Sequence, residues 1–532
     1  MFGSQERRKS IFLMKYNLSS DFLQNHLVIS TILLAVVYYL FSIFSEGFYQ
    51  HDEAAHFTNM LQFWHQPEVI MGNWGKQGFK LIYAPIALLG LEAVTLLNCL
   101  FAAACCFVAY KIMEQLGYSR PWLIFIFLAT QPFWIELSFR TYSEILTAFL
   151  LVSSVWAFYA RKHWLAALLL SYILTIRQEF YPIVGLFAFY LTVKKEWKSV
   201  LLILVFPFTQ HIAGWILFGN PWYLYDAIFG FSGAIQSAYP RQGGEHYFLL
   251  LLPVIGGVTF TFLIAFFVQG LMERKTWYWP ILLPCVIFFA IHVLFSMESI
   301  KIGPSTGGNL RYLMVIAPLL AILAAIGAER IYEQTSKKER LKYLWVFIPL
   351  ILIAIFFMSF EHNYLKYTYK RDFSHILILI LTFEIAILGL SKQWINRLII
   401  GVSVLGILLT VRPKNLSEED QLVKDASAWI DQNYTQGTQW IFSHTLIPYY
   451  LNKVPQDFEP NSKRVKLDAV QTAEIGSMIV WDAHYSYRPR RDSSTLPLDY
   501  FLQNPVQFEQ IKDPISTQNQ VFSIYFFKKI SN

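Results

Sequence analysis

The chain has 532 residues, of which 55% are hydrophobic, 17% aromatic and only 15% charged, and its formal net charge is +7. Apolar stretches of about 20 residues recur over its first four-fifths, which excludes a water-soluble globular class for that part. The positive balance does not indicate a nucleic-acid partner, because Lys and Arg stand in short clusters between apolar runs, without a basic stripe or an aromatic-basic motif.

In chain order, the basic clusters ERRKS and MK precede an apolar segment at 26–45. This segment is too long and too far from the start for a cleaved signal peptide and has no small-residue cleavage site, so it reads as a retained first helix. GFYQHDEAAHFTNMLQFW follows at 47–64. If 51–64 is helical, Asp52, His56 and Asn59 share one face while Glu53, Phe57, Leu61 and Trp64 form a neighbouring stripe, as in an amphipathic helix lying along a membrane surface. FKLIYAPIALLG at 79–90 is too short to span and reads as a second interfacial helix. Further spans are expected near 91–112, 121–138, 145–160, 164–176, 180–193, 199–218, 247–270, 277–297, 311–328, 344–360, 374–390 and 396–411, making about 13 transmembrane helices in all. Those at 164–176 and 180–193 are short for a hydrocarbon core about 30 Å thick, which calls for tilt, a break at Pro182 or shielding by neighbours. Cys99, Cys105, Cys106 and Cys285 all fall inside apolar segments, where they act as small buried hydrophobes.

With the N-terminus cytoplasmic, the clusters Arg161/Lys162, Lys194/Lys195/Lys198, Arg274/Lys275, Lys337/Lys338/Arg340/Lys342 and Lys392/Arg397 all fall inside, as the positive-inside bias requires. Lys366, Lys370 and Arg371 run against the trend, flanked by Glu361 and Asp372. Residues 46–78, 139–144, 177–179, 219–246, 298–310 and 361–373, with everything after Val411, then face outward. After RPKN at 412–415 the apolar runs shrink to strand length. SEEDQLVKDASAWIDQNY reads as a capped helix, and QWIFSH, SMIVWDAHY and QVFSIYFFKK read as strands. The expected fold class is therefore an α-helical polytopic membrane protein with a C-terminal soluble α/β domain. Its membrane part covers 1–411, including the first outer loop 46–78, and its outward-facing α/β domain covers 412–532. His444, Asp482 and His484 admit a metal-cluster reading, but solvated loops and strand ends are the better explanation of them.

Ionisable residues recur at the outer ends of spans. Arg140 and Glu144 open the fourth in FRTYSEILTAF, Arg177 and Glu179 end the fifth in LTIRQEFYP, and Arg311 opens the tenth in GGNLRYLMVIAP. Charge near hydrocarbon is costly unless paired or facing an aqueous cavity, so several such groups on one face mark a candidate site. The bland alternative is a pair of helix-end ion pairs, Arg140 with Glu144 and Arg177 with Glu179. DEAAH has Asp52 where the zinc-peptidase pattern H-E-x-x-H requires its first histidine.

These features, taken together, resemble the GT-C superfamily of membrane glycosyltransferases, in the bacterial branch of the lipid A aminoarabinose transferases and relatives of the protein O-mannosyltransferases. The matching elements are HDEAAHF, LIYAPIALLG, RTYSE, RKHWLAALLLSYILTIRQE and NLRYLMVIAPLLAILAA, spread over roughly the first 330 residues. Thirteen spans followed by an outward soluble domain also match the aminoarabinose transferases. The resemblance implies a sugar moved from a polyprenyl-phosphate carrier to an acceptor hydroxyl on a lipid, glycan or protein at the outer membrane face, with inversion, in a bacterial inner membrane. Asp52 is then the general base that takes the hydroxyl proton, with Glu53 orienting it or a neighbouring cation. Arg311, Arg177 and Arg140, helped by Lys76 and Lys80, meet the donor phosphate, since a planar guanidinium holds two phosphate oxygens at once. His56, Tyr312, Glu144, Glu179, Glu245 and His246 are placed around sugar or acceptor, the last two in the loop SAYPRQGGEHYF at 237–248. Aminoarabinose transferases usually carry an acid and a Pro-Pro pair where this chain has only Pro85, which leaves the sugar open. Asp52, His56 and the pair Glu245–His246 are the groups open to a divalent metal ion. The competing reading is a lipid or glycan transporter, which should instead show internal repeats and helices interrupted near the midplane.

Overall fold

The computed structural model describes residues 26–71, 75–230, 241–272, 274–297, 308–333, 343–358, 363–364, 367–368, 373–388, 392–433, 438–451, 464–489 and 492–531. Lys337, Lys338, Arg340, Lys342, Lys366, Lys370 and Arg371 of the charge pattern lie outside the described residues, as does 237–240 of the loop before His246. The chain forms two compact units, Met1–Ser42 with Thr95–Arg412, and Ile43–Val94 with Pro413–Asn532.

The first unit is helical. Six helices among the described residues are long and apolar enough to cross a membrane: His26–Ile43, Leu91–Gln115, Trp197–Phe218, His246–Met272, Trp279–Ser296 and Leu310–Glu333. A seventh arises if Pro132–Ser138 and Ser143–Tyr159, bent by 110°, count as one span. Shorter apolar helices occupy His163–Leu174, Tyr181–Val193, Leu344–Met358, Ser374–Ile387 and Lys392–Thr410. This is a polytopic helical membrane protein.

Burial separates the long helices by role. Leu310–Glu333 is 94% buried over its apolar window, against 22% for Trp197–Phe218, whose Leu201, Leu204, Phe208 and Ile216 are exposed and suited to lipid tails. The central helix packs on His246–Met272 at Gly327, where an added Cβ would stand 2.2 Å from the Phe262 carbonyl oxygen. Without a hydrophobic drive between helices in lipid, such close approach through a small residue supplies the packing energy. His246–Met272 is itself kinked at Gly256, three residues after Pro253, in a conformation (φ 76°, ψ 156°) that glycine allows.

The segment expected as one span at 121–138 is instead two short helices, Leu123–Phe127 and Pro132–Ser138. Pro132 has no N–H and forces the extended backbone of Gln131, so the helix restarts there. The freed Phe127 carbonyl accepts the Gln131 side-chain amide at 2.8 Å and the Thr259 hydroxyl at 2.7 Å, which makes the break tolerable in an apolar setting. Pro182, by contrast, sits in the first turn of Tyr181–Val193, where a missing N–H costs nothing.

The second unit is α/β. Its sheet runs Trp440–Phe442, Met478–Asp482, Ser523–Lys529, Phe508–Ser516; the first pair is parallel and the others antiparallel. The strands read from the sequence form three of these. The fourth, FEQIKDPIS, is a polar edge strand whose Pro514 and mixed exposure hide its identity in a linear reading. Alternating side chains build two cores, one around Trp440, Val480, Ile524 and Phe526, the other around Ile441, Ile479, Trp481 and Phe527. Ala54, from the helix Asp52–Gln62, is a fully buried member of the first core, together with Val423 and Ile447.

Candidate functional site

In the first unit, the polar cluster forms at the 110° break between Pro132–Ser138 and Ser143–Tyr159. The Asn98 side-chain amide donates to the carbonyls of Leu137, Ser138 and Arg140, at 3.1, 3.1 and 2.8 Å, and so satisfies groups that the break releases. Glu144 stands in the first turn after the break, and its side chain is wholly buried. Arg177 caps the turn Gln178–Phe180 in an extended conformation and brings Nη2 to 2.5 Å from Glu144 Oε1. Arg311, in the 3-10 turn Leu310–Ile316, has its N–H held by the Asn309 side chain at 3.2 Å and its Nε 3.3 Å from the same Glu144 oxygen. One carboxylate therefore sits between two guanidinium groups.

Aromatic rings wall these cations. The Arg311 guanidinium lies 4.4 Å from the Tyr142 ring centre, and Arg177 lies 5.0 Å from that of Tyr312. His292 stacks on Tyr312 at 5.0 Å. Such rings hold a guanidinium by their quadrupole while taking none of its N–H donors. Of the local pairs expected from spacing, Arg177 with Glu179 forms at 3.7 Å, that carboxylate being partly exposed, and Arg140 also bonds Glu136 at 3.1 Å. His246 approaches the Gly308 carbonyl with Nε2 at 2.9 Å, next to Tyr247, whose hydroxyl donates to the Asn309 carbonyl at 3.2 Å. Glu245 is exposed. Asn98, Glu136, Tyr142 and His292 escaped the sequence reading, although a lone Asn and a lone His inside apolar runs are a signal.

In the second unit, the helix read over 51–64 is formed by Asp52–Gln62, and it packs on Gln77–Ala87. Asp52 is half-buried in the first turn, where the helix dipole favours a carboxylate. Glu53 is buried, and its Oε1 accepts the Tyr49 backbone N–H. His56 is buried with its ring edge-on to Phe79 at 5.8 Å. Lys80 is fully buried and reaches Asn59: with the amide turned to donate to the Ala55 carbonyl, its oxygen lies 2.9 Å from Lys80 Nζ. Burial pushes the Lys80 ammonium down to about 7; the charge of Lys76 pushes the same way, and Asp52 opposes it. Lys76 begins the second helix in a left-handed conformation, φ 48°.

The site residues thus fall into two sets. Arg140, Glu144, Arg177, Glu179, Glu245, His246, Arg311 and Tyr312 belong to one unit, and Asp52, Glu53, His56, Lys76 and Lys80 to the other.

The chain matches no protein-family model and no curated protein by sequence. Solved structures do match. The crystal structure of ArnT from Cupriavidus metallidurans in the apo state aligns with a TM-score of 0.59 at 12% identity, covering 94% of this chain and 97% of that one. ArnT from the same organism bound to undecaprenyl phosphate aligns at 0.58 and 11%, with the same coverage. ArnT is a lipid A aminoarabinose transferase of the GT-C class, so the fold that the motif order implies is present over nearly the whole chain.

Proposed function

We propose, from this ArnT-like fold, that the chain is an integral-membrane GT-C glycosyltransferase that moves a sugar from a polyprenyl-phosphate carrier to an acceptor hydroxyl, with inversion. The neighbour bound to undecaprenyl phosphate supports this choice of carrier. The single observation that carries the reading is the buried carboxylate of Glu144 with Arg177 at 2.5 Å and Arg311 at 3.3 Å. As the bond from the anomeric carbon to the phosphate oxygen breaks, negative charge grows on the leaving lipid phosphate. Two forked guanidiniums, fixed in a site of low dielectric, stabilise that charge without having to reorganise. Glu144 holds both guanidiniums in place beside the donor phosphate.

Asp52 takes the proton of the acceptor hydroxyl as its oxygen bonds to the anomeric carbon. Glu53, bonded to the Tyr49 backbone, holds the turn from which Asp52 projects. Lys80, with its affinity for a proton lowered to about 7, and Lys76 tune the charge around that base and assist the donor phosphate. Arg140 supports the broken helix through Glu136 and adds to the positive field. His56, Glu179, Tyr312, Glu245 and His246 contact sugar or acceptor. The acceptor is a lipid, glycan or protein, and the enzyme works in a bacterial inner membrane through its membrane part, 1–411, with the α/β domain, 412–532, exposed to the periplasm.

The test is transfer from a radiolabelled polyprenyl-phosphate sugar by the purified protein in detergent. Asp52→Asn and Arg311→Ala should each abolish turnover while the protein remains folded. Undiminished turnover in both variants would remove the mechanism.

A further inference from the structure

In the second unit, three histidines far apart in sequence converge on one carboxylate. His51 precedes the helix Asp52–Gln62, Glu419 lies in the first turn of Glu418–Asn433, His444 follows the strand Trp440–Phe442, and His484 follows Met478–Asp482. One donor atom from each lies within 4.8 Å of every other. His484 Nδ1 is 2.6 Å and His444 Nε2 3.4 Å from the same Glu419 oxygen. The imidazole rings are 5.2 to 6.2 Å apart, centre to centre.

We propose that His51, Glu419, His444 and His484 form a site for a divalent transition-metal ion, with zinc the ion best suited to it. Zinc takes imidazole nitrogens and carboxylate oxygens at about 2.0–2.2 Å in a tetrahedron, which puts the donors roughly 3.3 Å from one another. The separations here straddle that value, so side-chain movements on the order of 1 Å close the site. Three imidazoles with one carboxylate suit zinc and its first-row neighbours, whereas magnesium and calcium call for oxygen donors. A plain salt bridge would need one histidine, not three from different elements.

The surroundings supply the outer support that metal-bound histidines need. Asp420 Oδ1 lies 2.7 Å from His51 Nε2 and fixes that ring. Coordination then falls to His51 Nδ1, whose 2.9 Å hydrogen bond with the Tyr485 hydroxyl is given up on binding, while the Tyr485 ring stacks on His484 at 4.2 Å and meets His444 at 4.9 Å. Coordination through His444 Nε2 puts its proton on Nδ1, so the 3.3 Å approach of the Leu446 N–H to that nitrogen is given up on binding. Asp482, which the sequence grouped with His444 and His484, is not a donor. Its carboxylate accepts the N–H groups of His484 and Tyr485, at 3.0 and 2.6 Å, and the Ser486 hydroxyl at 2.8 Å, and so shapes the turn that presents His484. Asp52, His56, Glu245 and His246 are not members of the group.

The consequence is mechanical. His51 is the residue before Asp52, so the ion ties the start of the Asp52 helix to the ends of two strands and to the helix that begins at Glu418. It positions that helix and takes no part in the sugar-transfer step.

The experiment reads metal, not turnover, and is therefore independent of the glycosyltransferase reading. Full-length protein in detergent is stripped with a chelator and titrated with Co²⁺, then Zn²⁺, while visible absorption and the thermal midpoint are followed. One equivalent of Co²⁺ should give the d–d bands of a tetrahedral nitrogen/oxygen site, Zn²⁺ should bleach them, and both should raise the midpoint. Glu419→Gln and His484→Ala should lose the bands, Asp420→Asn should weaken binding by about 10- to 100-fold, and the exposed His65→Ala should bind as the wild type does. The wild-type titration alone decides the matter if a variant fails to fold. Absence of saturable binding in the wild type, or unchanged binding in both ligand variants, overturns the site and leaves a hydrogen-bonded cluster only.

Discussion

Arg177 and Glu144 form an ion pair of 2.5 Å in which the exposures of the two side chains are 2% and 0%. Arg311 approaches the same carboxylate oxygen at 3.3 Å, so one wholly buried acid meets two guanidiniums. A group in that position is structural and electrostatic at once.

Removing one partner of such a pair strands the other. Glu144→Ala should destabilise the protein by about 3–5 kcal/mol, and the double variant Glu144→Ala/Arg177→Ala by less than the sum of the two single changes. Chemical unfolding in micelles measures both. Equal stability of wild type and Glu144→Ala would mean that the three side chains do not share one site.

Arg311→Lys keeps the charge but not the planar fork. Transfer from the lipid-phosphate donor should fall about tenfold or more, with stability changed by no more than about 1 kcal/mol. The comparison with Arg311→Ala separates charge from geometry: if the lysine variant works as well as wild type, the donor needs only a point charge.

Asp52 and Glu53 are neighbours with opposite expected behaviour. Asp52→Asn should melt as the wild type does and transfer nothing. Glu53→Gln removes the charge from a buried acceptor of the Tyr49 N–H and should cost about 1–3 kcal/mol in stability, with a smaller loss of activity. Paired melting curves and transfer assays check this; the reverse pattern would exchange the two roles.

Lys80 couples stability to pH. Its proton affinity is about 7 in the fold against 10.5 for a free lysine, so between those values the unfolded chain binds more protons and stability rises with pH. Below about 7 both states are protonated and the cost of burying the charge is fully present. Lys80→Met should therefore exceed the wild type in thermal midpoint most at low pH, with the gap narrowing toward pH 10.5. A constant gap across that window would mean that Lys80 titrates normally.

Gly327 tests the membrane packing. Any Cβ there meets the Phe262 carbonyl oxygen at 2.2 Å, so Gly327→Leu must push two central helices apart. A loss of about 1–3 kcal/mol or more is expected, read by unfolding or by proteolysis of the detergent-solubilised protein. Wild-type stability would show that this contact yields without cost.

The membrane class, the positions of nearly all the helices and three of the four domain strands were legible in the linear chain. Run length, hydropathy and period are properties of consecutive residues, and the backbone must satisfy its own hydrogen bonds wherever water is absent. Motif order likewise pointed to the fold that the ArnT structures share. Spacing pointed to Glu179 for Arg177, which it meets at 3.7 Å, but not to Glu136 for Arg140 or to Glu144 for Arg177, which packing brought to 3.1 and 2.5 Å. That His51 meets Glu419, His444 and His484, and that the helix Asp52–Gln62 shares a core with Val423, were also decided only by the tertiary structure. Those relations join residues from different elements, and a short polar side chain carries no mark of a partner that chain folding alone brings within a few ångströms of it.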